Sequence, residues 1–140
     1  DYLFASTEAR FADTHARVGI LPGWGLSQKL TRIIGINRAR EMSLAGNFID
    51  AHRAEAWGLV NRVCTPENLM DETLASAAQV ADGDANAVIA LKALMNDGAK
   101  QNLGDALMLE GERGNAFAKT VDYSQMGERL AALRKRAAKK

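Results

Sequence analysis

Few side chains in this 140-residue sequence can change protonation near neutral pH: two histidines, His15 and His52, and one cysteine, Cys64. A neutral imidazole serves as acid or base near pH 7, where its unperturbed pKa of about 6.5 places it. His15 has two carboxylates nearby in the chain, Glu8 and Asp13, and is the candidate catalytic residue. Its alternative reading is a hydrogen-bonded or pocket-lining residue with no part in chemistry. His52 falls in the first turn of a helix that Asp50 would cap, where a histidine on an exposed face is simply solvated. Cys64, in Arg62-Val63-Cys64-Thr65, reads as a small buried residue at the end of a strand. One thiol forms no internal disulfide, which fits a reducing, cytoplasmic setting. No His/Cys/carboxylate spacing suggests a metal site.

Two further stretches could touch a ligand. Gly19-Ile20-Leu21-Pro22-Gly23-Trp24-Gly25 must be an irregular loop, because proline and three glycines resist both helix and ladder. It is not a phosphate-binding loop, since no Lys-Ser/Thr follows it and no long strand precedes it. From Arg129 to Lys140 the chain carries Arg129, Arg134, Lys135, Arg136, Lys139 and Lys140 and no acid. Such a run is either a solvated face or a contact for phosphates. It is not read as a nucleic-acid surface: no aromatic residues interleave with the charges, and the formal net charge is only +1. No run of about 18 apolar residues offers a membrane span, and no secretory signal is visible. The chain opens at Asp1 without a methionine, as a fragment of a longer protein would.

The elements that must hold these residues follow from pattern. Hydrophobic residues at 47% and charged residues at 25% describe a globular chain able to bury a core. Residues 2–5, 9–11 and 18–21 read as short extended pieces. Leu26, Leu30, Ile33 and Ile34 then recur at helical spacing up to Gly35. Asn37 is placed to cap a second helix that runs through Ala39 and Met42 to Gly46. Asp50 caps a short helix ending at Trp57, with Gly58 as its left-handed end, and residues 59–63 read as a strand. Thr65-Pro66-Glu67 starts a helix whose buried stripe is Met70, Leu74, Ala77, Ala78 and Ala81. Three more helices follow: one capped at Gly83-Asp84 with Val88, Leu91 and Met95; one with Leu103, Leu107, Glu110, Gly114 and Phe117; and one with Met126, Leu130 and Leu133. Two or three short strands cannot build a sheet with its own core, so their partners are expected upstream of Asp1.

Taken in order, these pieces resemble the second half of the enoyl-CoA hydratase/isomerase (crotonase) family. The resemblance rests on Asp1-Tyr2-Leu3-Phe4-Ala5 and Phe11, on the glycine loop as a Gly-x-x-Pro-Gly-x-Gly segment, and on Leu30-Thr31-Arg32-Ile33-Ile34-Gly35. Leu44-Ala45-Gly46 with Ile49-Asp50-Ala51, then Ala54-Glu55-Ala56-Trp57-Gly58-Leu59-Val60-Asn61, carry it further, and residues 87–92 more loosely. It implies an α/β fold: the C-terminal part of the ββα superhelix, a few short strands followed by a mostly helical layer. Residues 1–63 would belong to the core of that fold, and residues 64–140 to a helical region for oligomerisation and for covering CoA.

The family activates an acyl thioester with two backbone N–H groups that stabilise an enolate, and one or two carboxylates move the protons. Both donors and the first glutamate belong to segments that precede Asp1 in the family pattern. The second glutamate would fall four residues before Gly19, and that residue is His15. An imidazole is larger than a carboxylate and by itself lacks its charge, so hydration by two glutamates is not expected here. Asp13 and Glu8 occupy positions without a catalytic role in the family. The resemblance also implies that Gly19, Pro22, Gly23 and Trp24 line the acyl or pantetheine tunnel, and that Lys135, with Arg134 or Arg136, meets the CoA phosphates. No cofactor beyond the CoA carried by the substrate is implied. Expected partners are an acyl-CoA, the missing N-terminal half, and further copies forming a trimer or pair of trimers. Two other readings stay open: a non-catalytic acyl-CoA carrier, or a stretch that serves chiefly as an oligomerisation layer.

Overall fold

A computed structural model describes residues 1–137, the side chain of Gln125 excepted; Lys139 and Lys140 of the basic run lie outside them. The described chain divides into two compact units, Asp1–Asp82 and a second beginning at Gly83. The division therefore falls one helix later than residue 63.

In the first unit, β1 (Phe4–Ser6) pairs in parallel with β4 (Arg62–Cys64), placing Ala5 opposite Val63. Strand β2 (Arg10–Phe11) pairs antiparallel with β3 (Ile49–Asp50), Phe11 opposite Ile49. Two-stranded ribbons of this length are marginal in water, so helices must supply the core. Helix α1 (Leu26–Ile34) buries Leu30 and Ile34, one turn apart, and α2 (Ile36–Ala45) buries Ala39 and Met42. Helix α3 (Ala51–Ala56) adds Ala51 and Ala54; with Ala5, Ile49 and Val60 these residues form one apolar cluster.

Several local expectations change. Residues 18–21 are not extended: His15–Val18 is a 3₁₀ turn closed by Gly19 at φ 76°. The Thr14 carbonyl accepts from the Arg17 and Val18 N–H groups, and this local bonding displaces an unpaired extended segment. The cap of α2 is Gly35, not Asn37. One residue at φ 82°, ψ 152° ends α1 and starts α2, a conformation essentially reserved for glycine. The last strand is shorter than residues 59–63. Leu59 and Val60 donate to the Ala54 carbonyl and Asn61 to that of Leu3, which leaves only Arg62–Cys64 for the ladder.

Helix α4 (Leu69–Ala81) starts later than Thr65, after a turn in which the Thr65 carbonyl accepts from the Asn68 and Leu69 N–H groups. It packs on β1 and β4, with a Tyr2 hydroxyl–Ser76 Oγ contact at 2.8 Å. Its expected buried stripe is exposed instead; Leu69 and Ser76 are the half-buried positions.

The second unit holds α5 (Ala85–Gly98), α6 (Leu103–Ala118) and α7 (Met126–Ala137), the last preceded by a 3₁₀ turn. Helices α5 and α6 pack together; Ala87, Val88, Ala90 and Leu94 on α5 and Ala106, Leu109 and Phe117 on α6 are half-buried. Leu91, Met95, Leu103, Leu107, Leu130 and Leu133 face solvent. Periodicity located amphipathic helices there, but of the expected stripes only Val88 and Phe117 are half-buried.

Three side-chain caps set helix starts as expected for Asp and Asn: Asp50 on α3, Asp84 on α5 and Asn102 on α6. Asp50 accepts from the Arg53 N–H at 2.7 Å. Replacing it with alanine should cost about 1 kcal/mol of stability, whereas D50N should cost less, because Asn also caps well. Urea unfolding of the two variants checks this; equal midpoint losses would contradict a capping role.

Candidate functional site

The site forms around the 3₁₀ turn that carries His15. Asp13, just before it, is 4% exposed. One of its oxygens, Oδ1, accepts from the His15 backbone N–H at 3.2 Å and lies 2.7 Å from the His15 Nδ1. Asp followed two residues later by an N–H that it captures is a local turn pattern. Ser43, from α2, also favours the charged form of the carboxylate. Burial opposes ionisation of Asp13 most strongly. Ser43 and the bonds from the His15 ring and backbone, with the attraction of the ring when charged, together outweigh it and hold the carboxyl below its ordinary value.

The C-terminal end of α2 grips the same turn a second time. Arg17 Nε donates to the Ala45 carbonyl at 2.7 Å, one of the carbonyls a helix end leaves unpaired. Gly46, in the left-handed conformation at φ 61°, closes α2 by donating to the Met42 carbonyl. A Cβ at Gly46 would stand 2.6 Å from Arg17 Cγ. Glycine is therefore required twice over, by backbone angle and by the arginine stem lying across it.

His15 itself is 26% exposed at the side chain. Among the described residues its Nε2 has no hydrogen-bond partner, so the atom is available to a ligand. The Gly19 and Ile20 N–H groups both donate to the His15 carbonyl, which ties the loop's first residues to the turn. The remaining expected residues are less closely drawn in. Pro22 is half-buried, Gly23 exposed, and Trp24 is 90% exposed. Lys135 stands on α7 in the second unit, exposed. Glu8 is exposed in the turn after β1, its N–H donating to Ser6 Oγ. His52 is exposed, 3.9 Å from Glu55. Cys64 is buried and free at the end of β4. Among the described residues no group of three His, Cys, Asp or Glu could hold a metal ion.

Sequence reasoning singled out His15, named Asp13 beside it without giving it a role, and passed over Ser43. The Asp-Thr-His spacing is the signal for Asp13, since an aspartate two residues before another residue favours capturing its N–H. Nothing local marks Ser43, thirty residues on.

The arrangement is an imidazole anchored by a buried carboxylate, next to a glycine loop. The family described as enoyl-CoA hydratase/isomerase matches residues 1–137, and the chain belongs to it. The Arabidopsis thaliana protein named probable enoyl-CoA hydratase 1, peroxisomal, is 41% identical over 140 residues, 100% of this chain and 53% of that protein. The crystal structure of an enoyl-CoA hydratase from Bacillus anthracis superposes with a TM-score of 0.85 at 28% identity, over 97% of this chain and 52% of the other. A Thermobifida fusca structure titled as a putative enoyl-CoA hydratase in complex with acetoacetyl-CoA gives 0.79 at 26% identity, over 86% and 48%. The chain spans about half the length of these relatives. They bear out the crotonase resemblance and its α/β fold.

Two outcomes test the geometry. Gly46→Ala should lose about 1–2 kcal/mol to its left-handed backbone alone, more where Arg17 is forced aside. G46N, better tolerated at such angles, should recover only part, because the contact with Arg17 remains. A G46A urea midpoint equal to wild type would refute the grip. For Asp13, a folded pKa below the ordinary 3.8 means stability is present above that value and lost as pH falls through the lower folded one. Unfolding free energy should therefore drop on acidification below about pH 4, and D13N should flatten that dependence. An unchanged slope in D13N would count against the assignment.

Proposed function

We propose that the intact protein acts on an acyl-CoA thioester by stabilising its enolate, and that His15 transfers the proton assigned in the family to a second glutamate. The observation that carries this is the place and geometry of His15: four residues before Gly19, ring anchored at Nδ1, Nε2 unpartnered. Family membership and the solved relative bound to acetoacetyl-CoA support the substrate class. The oxyanion donors belong to the part of the fold that precedes Asp1 in the family pattern, so the 140-residue chain alone has no hydratase turnover. Gly19, Pro22, Gly23 and Trp24 would border the acyl or pantetheine path, and Lys135 would meet a CoA phosphate. The acyl-CoA brings its own CoA, so no separate cofactor is needed.

The protein would work as a homotrimer or pair of trimers, in fatty-acid metabolism. No helix among the described residues is long and apolar enough to cross a membrane. The free, buried Cys64 suits the cytoplasm, although the Arabidopsis relative is named as peroxisomal.

Following the conjugated thioester absorbance of crotonyl-CoA tests both parts. The chain alone should leave it unchanged, and turnover above blank would defeat that. In the intact protein H15A should lower kcat by about 10²–10⁴-fold, the usual worth of a positioned proton-transfer group. Undiminished kcat would remove His15 from the chemistry. Tight acyl-CoA binding by calorimetry without any turnover would instead favour the carrier reading.

A further inference from the structure

We infer that Asp13 is a positioning residue for His15: its carboxylate keeps the ring proton on Nδ1 and so presents the Nε2 lone pair to the substrate. The inference rests on the reading of His15 as the proton-transferring group. An ionised carboxylate only accepts hydrogen bonds. A 2.7 Å approach of Asp13 Oδ1 to Nδ1 therefore requires the proton on Nδ1, and the neutral ring's free lone pair must lie on Nε2. The other nitrogen's partner is what generally fixes a histidine's tautomer.

The carboxylate is itself immobilised. It is 4% exposed and bonds the His15 backbone as well as the ring. Side chain and main chain of His15 thus share one acceptor atom, which restricts the ring's rotation about the chain. Arg17, the remaining charged residue of the turn, is engaged with the Ala45 carbonyl rather than with the ring. A proton taken from substrate or water arrives on Nε2, the ring becomes a cation, and the adjacent carboxylate neutralises it. Delivery of a proton runs the same path in reverse.

The sequence holds only two histidines, so selective ¹⁵N-histidine labelling gives two resolvable rings, one of them the exposed His52. At a pH where the His15 ring is neutral, the wild-type spectrum should show Nδ1 protonated and Nε2 bare. In D13N, whose amide can donate to the ring, that pattern should shift toward the Nε2–H form. In the intact protein D13N should lower kcat by about 10–100-fold, the range seen when the outer partner of a metal-bound histidine is lost, with KM within about twofold. S43A should keep the tautomer and lower kcat less. A wild-type ring with its proton on Nε2 would overturn the inference without any variant. So would D13N with unchanged tautomer and kcat. An Nδ1–H ring together with an H15A protein of normal activity would leave the orientation standing and defeat the functional reading instead. Should D13N fail to fold, the wild-type spectrum and S43A still decide.

Discussion

A carboxylate almost withdrawn from water is tolerable only if its oxygens are satisfied, since the unpaired charge would cost far more than the fold can spare. Asp13 is that carboxylate, and what satisfies it organises the surrounding chain. Its bond to the His15 N–H starts the 3₁₀ turn and its bond to the ring sets the imidazole. Arg17 reaching the Ala45 carbonyl repeats the attachment one turn along, over a glycine where a Cβ would meet the arginine stem. The turn has no buried apolar residue of its own. Polar bonds to one helix end, rather than hydrophobic burial, are what hold it.

The segment that most identifies the family has a structural explanation rather than a chemical one. In Ala54-Glu55-Ala56-Trp57-Gly58-Leu59-Val60-Asn61, Ala54 is fully buried and Val60 nearly so. Trp57 lies beneath two guanidinium groups, Arg53 at 4.7 Å and Arg38 at 5.9 Å from its ring centre. Gly58 takes φ 83° to end α3. Glu55 accepts from the Val63 N–H at 3.1 Å, and Asn61 Oδ1 from that of Leu3 at 3.2 Å. The segment is thus a joint that turns a helix into β4 and delivers β4 to β1. Its residues are specified because each occupies a different geometric exception, which is why their order is so diagnostic.

What the sequence made legible follows the same division. Asp50 as a cap and Gly46 and Gly58 as left-handed ends were readable, because each is a one-residue rule acting over a single turn. Residues 18–21 are not extended because strand pairing depends on a partner elsewhere in the chain, and among the described residues none pairs with them. The apolar stripe of α4 was read correctly as a stripe, yet Met70 and Leu74 stand open to solvent. Helical periodicity reports which residues share a face; it does not report what the face rests on. Ser43 was invisible for a related reason, since its contact with Asp13 spans thirty residues and leaves no periodic trace.

Histidine in place of glutamate at first looks like a loss of charge, and taken alone it is: a neutral ring carries none where a carboxylate carries one. The pair removes the discrepancy. With Asp13 held ionised and the His15 ring neutral, the two together bear one negative charge; when the ring takes a proton they bear none. A single glutamate passes through the same two charge states. On the role proposed for His15, the substitution would keep the charge balance of the proton transfer, with the charge on Asp13 and the proton-accepting atom at Nε2. The cost is that the charged group is no longer self-sufficient in water. It needs Ser43, the His15 backbone and the α2 end to stay ionised while buried, which is the network found around it.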